Sequence, residues 1–277
     1  MTPCLPRLLM SGPFFALAKR PCVTPAVFTL GDLTIRVASE RAAATVWDAD
    51  LLIWAVSTLK AKRYRNDLPP GRLRETRHAL LAFLGRTASG GQYERLPAAL
   101  DRLATTRVTL VTRSMPARAV SFTWLSEWSQ RGGVIELRIA DWLRDVALAP
   151  RAVLALDPRY FALKGGLERR LYLLARRHGG RQPAGWSFDL AHLRRKSGVA
   201  AEDRDFPGAI ARLVRRQPLP GYRLTLERRG DHTRLHFRPA AAASSTDSVD
   251  NSVDNLWAEC GEARPTRLST TKTRLSP

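Results

Sequence analysis

The chain has 277 residues, 44% of them hydrophobic, which is enough for one large core or two modest ones. Its 45 Lys and Arg against 25 Asp and Glu give a formal charge of +20, and such an excess points to a polyanionic partner, nucleic acid above all. The longest apolar run, Leu51–Val56, is far short of the roughly 20 residues that span a bilayer. Cys4, Cys22 and Cys260 are too scattered for a disulfide scaffold or a zinc site, so a cytoplasmic protein with no membrane partner is expected.

The charge is unevenly spread. Residues 1–59 carry five basic and four acidic side chains, and residues 60–150 carry 16 and eight. Residues 151–238 carry 20 and eight, and residues 239–277 four and five. More than half of the excess therefore sits in the third segment. Arginine dominates there, and it is the better donor to phosphate and guanine, although a GC-rich genome enriches it too.

In chain order, Met1–Pro25 mixes Pro, Arg and the patch Pro13-Phe14-Phe15-Ala16-Leu17 without the layout of a secretory signal. Phe28–Val37 alternates as one strand would. Ala44–Lys62 has helical spacing in Val46, Ala49, Leu52, Ile53, Val56 and Leu59, with Asp48 and Asp50 in its first turn. After the turn residues Asp67–Gly71, a helix over Arg74–Leu84 ends at Gly85, and a second covers Tyr93–Ala104 with Leu96, Leu100 and Leu103 on one stripe. Strands are expected over Val108–Thr112, Ala119–Leu125 and Val134–Ile139. Helix, turn, helix and strand pair is the order of a winged helix.

The order recurs. Leu167–His178 reads as a helix closed by Gly179-Gly180, and Ser187 as the cap of a short helix running to Lys196. Asp205–Gln217 is the next helix, stopped by Pro218 and Pro220. Tyr222–Arg228 and Arg234–Arg238 make a hairpin with the loop Arg229-Gly230-Asp231-His232. The expected fold is α+β, with an N-terminal extension (1–43) and tandem winged-helix domains at 44–149 and 150–239. Residues 240–277 begin Ala-Ala-Ala-Ala-Ser-Ser-Thr and have too few large apolar side chains to fold, so they read as a disordered tail.

Catalytic motifs are lacking. Lys164-Gly165-Gly166 and Lys196-Ser197-Gly198 have neither the leading glycine nor the spacing of a phosphate loop. His232 and His236 lie in a hairpin with no acidic ligand set around them. No catalytic residue, no metal and no cofactor is expected, and the chain is not expected to be an enzyme.

A DNA-binding reading fares better. In Asp205–Gln217 the apolar Phe206, Ile210, Leu213 and Val214 cluster on one face. Gly208, Ala211, Arg212 and Arg215 lie opposite, flanked by Arg204 and Arg216. Small residues between arginines suit a helix pressed into the major groove, although a solvated basic face would look similar. Arg194, Arg195 and Lys196 lie just upstream, and Arg228 and Arg229 sit where a wing tip would touch phosphates. The matching face of the first unit mixes Glu94, Ala98 and Asp101 with Arg95 and Arg102, which favours association as much as DNA.

Several runs carry a resemblance. They are 13–20 (Pro-Phe-Phe-Ala-Leu-Ala-Lys-Arg), 44–54 (Ala-Thr-Val-Trp-Asp-Ala-Asp-Leu-Leu-Ile-Trp) and Tyr93-Glu94-Arg95-Leu96 through Thr106. The strongest is Tyr160-Phe161-Ala162-Leu163 with Gly165-Gly166-Leu167-Glu168-Arg169-Arg170-Leu171-Tyr172 and His178-Gly179-Gly180, followed by Lys196-Ser197-Gly198, Asp205-Phe206 and Leu219-Pro220-Gly221-Tyr222. In these the chain resembles the plasmid replication initiator protein A family, the iteron-type plasmid replication initiators, over about residues 13–238. The resemblance implies a protein that binds repeats in double-stranded DNA at a plasmid origin, promotes opening and meets the host replication initiator and replicative helicase. It also implies a monomer–dimer equilibrium, with the second winged helix as the main reader. A winged-helix transcriptional repressor without an initiation role is the alternative.

Overall fold

Two stretches of the chain repeat one order of elements, and a third holds them together. The computed structural model describes residues 1–63, 71–180, 182–199, 205–229 and 232–240. In the first stretch helix α2 (Ala49–Arg63) is followed by strand β4 (Arg72–Thr76), helices α3 (Arg77–Phe83) and α4 (Gly90–Thr105), and the hairpin of β7 (Leu125–Arg131) and β8 (Val134–Ile139). In the second, α6 (Gly166–Gly179) is followed by β10 (Trp186–Asp189), α7 (Leu190–Ser197), α8 (Phe206–Arg216), and the hairpin of β11 (Tyr222–Arg229) and β12 (His232–Pro239). The antiparallel sheets have the orders β4-β8-β7 and β10-β12-β11, so in each the strand before the second helix pairs with the last strand of the hairpin.

What the first stretch adds is a hairpin of β5 (Arg107–Thr112) and β6 (Met115–Phe122), inserted after α4. It extends an N-terminal hairpin of β2 (Ala26–Leu30) and β3 (Leu33–Ala38) into the four-stranded sheet β2-β3-β5-β6. Upstream, β1 (Cys4–Pro6) pairs with β9 (Val153–Ala155), and α1 (Arg7–Ser11) packs on α6. Leu5, Leu9, Met10 and Phe14 are buried in the same core as the helices of both stretches. The N-terminal segment is thus woven through the protein.

Several elements differ from the sequence reading, each for a local reason. The single strand over Phe28–Val37 is a hairpin, because Gly31 takes φ +62 and folds Leu33 back onto Leu30. The helix over Arg74–Leu84 starts three residues later: Arg74–Thr76 pair with β8, and the Thr76 hydroxyl caps α3 by accepting from the Ala79 N–H. The cap of α7 is Asp189, whose carboxylate accepts from the Ala191 and His192 N–H groups, while the Ser187 hydroxyl bonds His236 Nδ1 at 2.7 Å. Helix α2 is buried all round, Leu51 through Val56 included, because β1, α5 (Asp141–Leu148) and β4 cover it on several sides.

The two repeats meet over a buried charge. Asp50 in the first turn of α2 is fully buried, with one carboxylate oxygen 2.7 Å from Arg169 Nη1 on α6 and the other 2.6 Å from Arg86 Nη2. Arg169 spends its remaining donors on the Leu163 and Phe161 carbonyls at 2.9 Å and lies 5.0 Å over the Tyr160 ring. Next to it, Asp48 receives a two-pronged contact from Arg102 of α4 at 2.8 and 2.7 Å. Buried arginine without its carboxylate is strongly unfavourable. Asp50→Asn should therefore cost about 3–5 kcal/mol, read as a lower urea midpoint. Glu127→Gln, at a pair whose members are more than half exposed, should cost about 0–1 kcal/mol. Equal losses would show that the Asp50 bridge has no special weight.

Candidate nucleic-acid interface

The exposed face of α8 is made by its amphipathic sequence. Phe206, Ile210 and Leu213 are buried, which turns Arg212, Arg215 and Arg216 outward. Gln217 ends the helix in a left-handed conformation (φ 48), and its side chain bonds the Val214 and Leu224 carbonyls and the Leu224 N–H at 2.6–2.9 Å. That bracket fixes the helix against β11.

Two of the three arginines have acidic partners. Arg212 is 54% exposed and 2.6 Å from Asp205, and Arg216 is 61% exposed and 2.7 Å from Glu168. The Arg212–Asp205 pair is exposed on both sides and worth about 0–1 kcal/mol, so a phosphate can compete for Arg212, whereas Arg216 compensates Glu168, a carboxylate only 8% exposed. Arg215 is exposed and has no ion-pair partner among the described residues.

Along α7, Arg195 is exposed and Arg194 half-buried. Lys196 is half-buried too, its Nζ 5.8 Å over the Phe188 ring. Burial, with Arg170 and Arg177 nearby, pulls the Lys196 ammonium down to about 8. It is thus a weaker phosphate ligand than its place in the sequence suggests. Arg228 is exposed on β11 next to the hairpin turn. Arg229 closes the same strand opposite His232, and Arg204 lies outside the described residues, as does the tail from residue 241.

The first repeat presents less. Arg95 and Glu94 are exposed on α4, but Arg102 is turned inward to Asp48, and Asp101 accepts from the Trp128 indole at 3.1 Å. Arg102 is therefore a structural cation here, because a buried carboxylate within reach outcompetes solvent for it.

Sequence reasoning also passed over the outer face of the second hairpin. Arg223 and Arg238 sit directly opposite each other across β11 and β12, and Arg234 opposes Glu227 four residues on. The i, i+2 spacing of Arg234, His236 and Arg238 was the available signal. His232 and His236 have separate neighbours, Asp189 at 3.8 Å and the Ser187 hydroxyl. No helix among the described residues is long and apolar enough to cross a membrane.

Two like-ordered units, the second with an arginine-rich helix packed on an arginine-bearing hairpin, define a two-unit protein. Residues 7–224 match the family model described as Replication initiator protein A, and the chain belongs to that family of replication initiators. A predicted replication protein of Wigglesworthia glossinidia brevipalpis is 26% identical over 227 residues, 78% of this chain and 82% of that protein. Domains 2 and 3 of RctB share the fold in two crystal structures. One has a TM-score of 0.58 at 19% identity, covering 84% of this chain and 98% of that one. The other has a TM-score of 0.53 at 17% identity, covering 84% and 96%.

Behind α7 the His178 ring stacks on Trp186 at 5.6 Å and meets Phe188 edge-on, with Nε2 buried and unpartnered. Burial, then Lys196 and the neighbouring arginines, holds its pKa down to about 3. An ordinary imidazole titrates near 6.5, so below that pH the unfolded chain takes a proton that the native chain refuses. Stability is thus fully present above pH 6.5 and falls with pH by up to about 1.4 kcal/mol per unit. His178→Phe keeps the ring contacts and should lose roughly 2 kcal/mol less than the parent between pH 6.5 and 4.5, measured by urea unfolding. Identical losses would mean that other groups set the acid limit.

Proposed function

We propose that the chain initiates plasmid replication in the cytoplasm by binding repeats in double-stranded DNA at an origin, promoting duplex opening and recruiting the host replication initiator and helicase. In this reading both repeats are winged helices. Residues 150–239 are the main reader, with α8 in the major groove and the β11–β12 hairpin as a wing on the phosphates. Residues 44–149 serve chiefly association, in a monomer–dimer equilibrium.

The observation that carries the reading is the face of α8. Its paired arginines stay more than half exposed, Arg212 on a partner that costs little to exchange, while the corresponding arginine of α4, Arg102, is turned inward onto a buried aspartate. Family membership supports the origin as the target. Nothing in the reading requires a catalytic residue, metal or cofactor. A repressor would use the same surface, so replication of an origin-bearing plasmid with the protein supplied in trans separates the two: repression without replication would sink the initiator reading.

Arg212→Ala and Arg215→Ala should each cost about 1–3 kcal/mol of specific binding and relax base preference. Arg228→Ala should weaken all sequences alike and lower the salt slope by about one unit. Arg102→Ala should leave that slope unchanged and lower thermal stability instead, since it strips a partner from Asp48. Salt-titrated gel shifts with the full chain read all four. A slope lost with Arg102, or kept without Arg212 and Arg215, would put the DNA on the other unit.

A further inference from the structure

A cleft of about 610 Å3 lies where the short 3-10 turn Pro158–Ala162, the start of α6 and the turn after α8 converge. Its rim carries four cations, Arg159, Lys164, Arg216 and Arg223, and its walls include Leu163 and Leu219. The acid among the lining residues, Glu168, is buried and already satisfied by Arg216 and the Gly165 N–H. Lys164 and Arg223 have no acidic partner among the described residues, and Arg223 is set directly against Arg238 across the sheet. Like charges placed opposite one another in a sheet repel, so this corner favours an anion.

The cleft stands apart from the wing tip. Six residues separate Arg223 from Arg229 along β11, about 20 Å of strand. It is also where the described chain ends: Ala240 lines it and donates its N–H to the Gly221 carbonyl at 2.9 Å. From there the sequence runs to Arg264 without another basic residue, and residues 247–262 hold Asp247, Asp250, Asp254, Glu259 and Glu262 around Leu256-Trp257.

We propose that residues 247–262 dock in cis into this cleft, their carboxylates on Lys164, Arg216 and Arg223 and their apolar pair on the Leu163 and Leu219 walls. Charge and hydrophobicity match on both sides. The spacer from Ala240 to Asp247 spans at most about 25 Å, so the segment meets the cleft at the roughly millimolar effective concentration of a short tether. Weak intrinsic affinity is then sufficient. Because Arg216 belongs to α8, the docked segment competes with a phosphate for one of the outward arginines, which makes the cleft an internal brake on non-specific binding.

The test is a disulfide-trapping rate in the full chain. Cys22→Ser leaves Cys260 as the accessible thiol, since Cys4 is buried. Ala162→Cys then adds a thiol on the cleft rim without removing a cation, and Gln130→Cys adds one on exposed β7 as the control. The A162C chain should form its intramolecular bond with Cys260 at least tenfold faster than the Q130C chain. That advantage should vanish in 0.5 M salt and when the five acids are changed to their amides. Equal rates for the two thiols would overturn the proposal, and so would a fast rate that ignores both salt and amide substitution. Recovery of the bond only in disulfide-linked dimers would overturn the cis assignment.

Discussion

The Asp50 carboxylate is the constraint from which the arrangement of the two repeats follows. It lies in the first turn of α2 and takes one guanidinium from α6 and another from the segment after α3. A fully buried carboxylate demands compensation on both oxygens, and here the two compensating arginines come from residues 36 and 119 positions away. Such a bridge is a poor source of net stability but a strict specifier, because any other docking of α6 on α2 leaves a buried charge alone. Arg169 then fixes the Phe161 and Leu163 carbonyls, which lie in and just beyond the 3-10 turn on the floor of the second unit.

From that docking follows the division of charge between the repeats. Both have an exposed second helix of the pair, and both helices carry arginine. In the first, Asp48, two residues before Asp50, captures Arg102 at two points and takes it out of the exposed face of the helix. In the second, the carboxylates that meet α8 are Asp205 at its own N-terminus and Glu168 at the start of α6, each bound to an arginine that stays more than half exposed. The difference lies in how far the paired arginine is drawn in, 21% exposed on α4 against 54% and 61% on α8. A net count along the sequence finds the asymmetry without its mechanism.

How far the sequence speaks depends on the range of the interactions. The helix α6, the face of α8 and the strand β8 are legible because periodicity, glycine and proline stops are local, and each was placed within a residue or two. Strand β7 is not, since Ser126, Glu127, Ser129, Gln130 and Arg131 are exposed and only Leu125 and Trp128 mark an inner side. Asp48 and Asp50 look like helix-dipole acids in the sequence, and their true partners are visible only when the chain closes. The same holds for Gly166: a Cβ there would fall on the Leu17 carbonyl oxygen, a contact 149 residues away in the chain. Arg223 and Arg238 needed the hairpin register to be seen as a pair.

Arg170 shows how the N-terminal segment enters the second unit. It is buried, and its donors go to the Met10 and Ser11 carbonyls at 2.8 and 3.0 Å and to the Lys196 carbonyl at 2.8 and 3.2 Å. These are last-turn carbonyls of α1 and α7, the ends that carry partial negative charge and lack intrahelical donors. Two helix ends thus stand in for a carboxylate. They do so incompletely: burial, with Arg177 nearby, pulls the guanidinium down to about 9. The consequence is geometric. Arg170 finds its acceptors only while α1 and α7 both end beside it, so the helix that precedes α8 is located by residues at the far N-terminus. The outward face of α8 therefore rests on the first dozen residues of the chain as much as on its own unit.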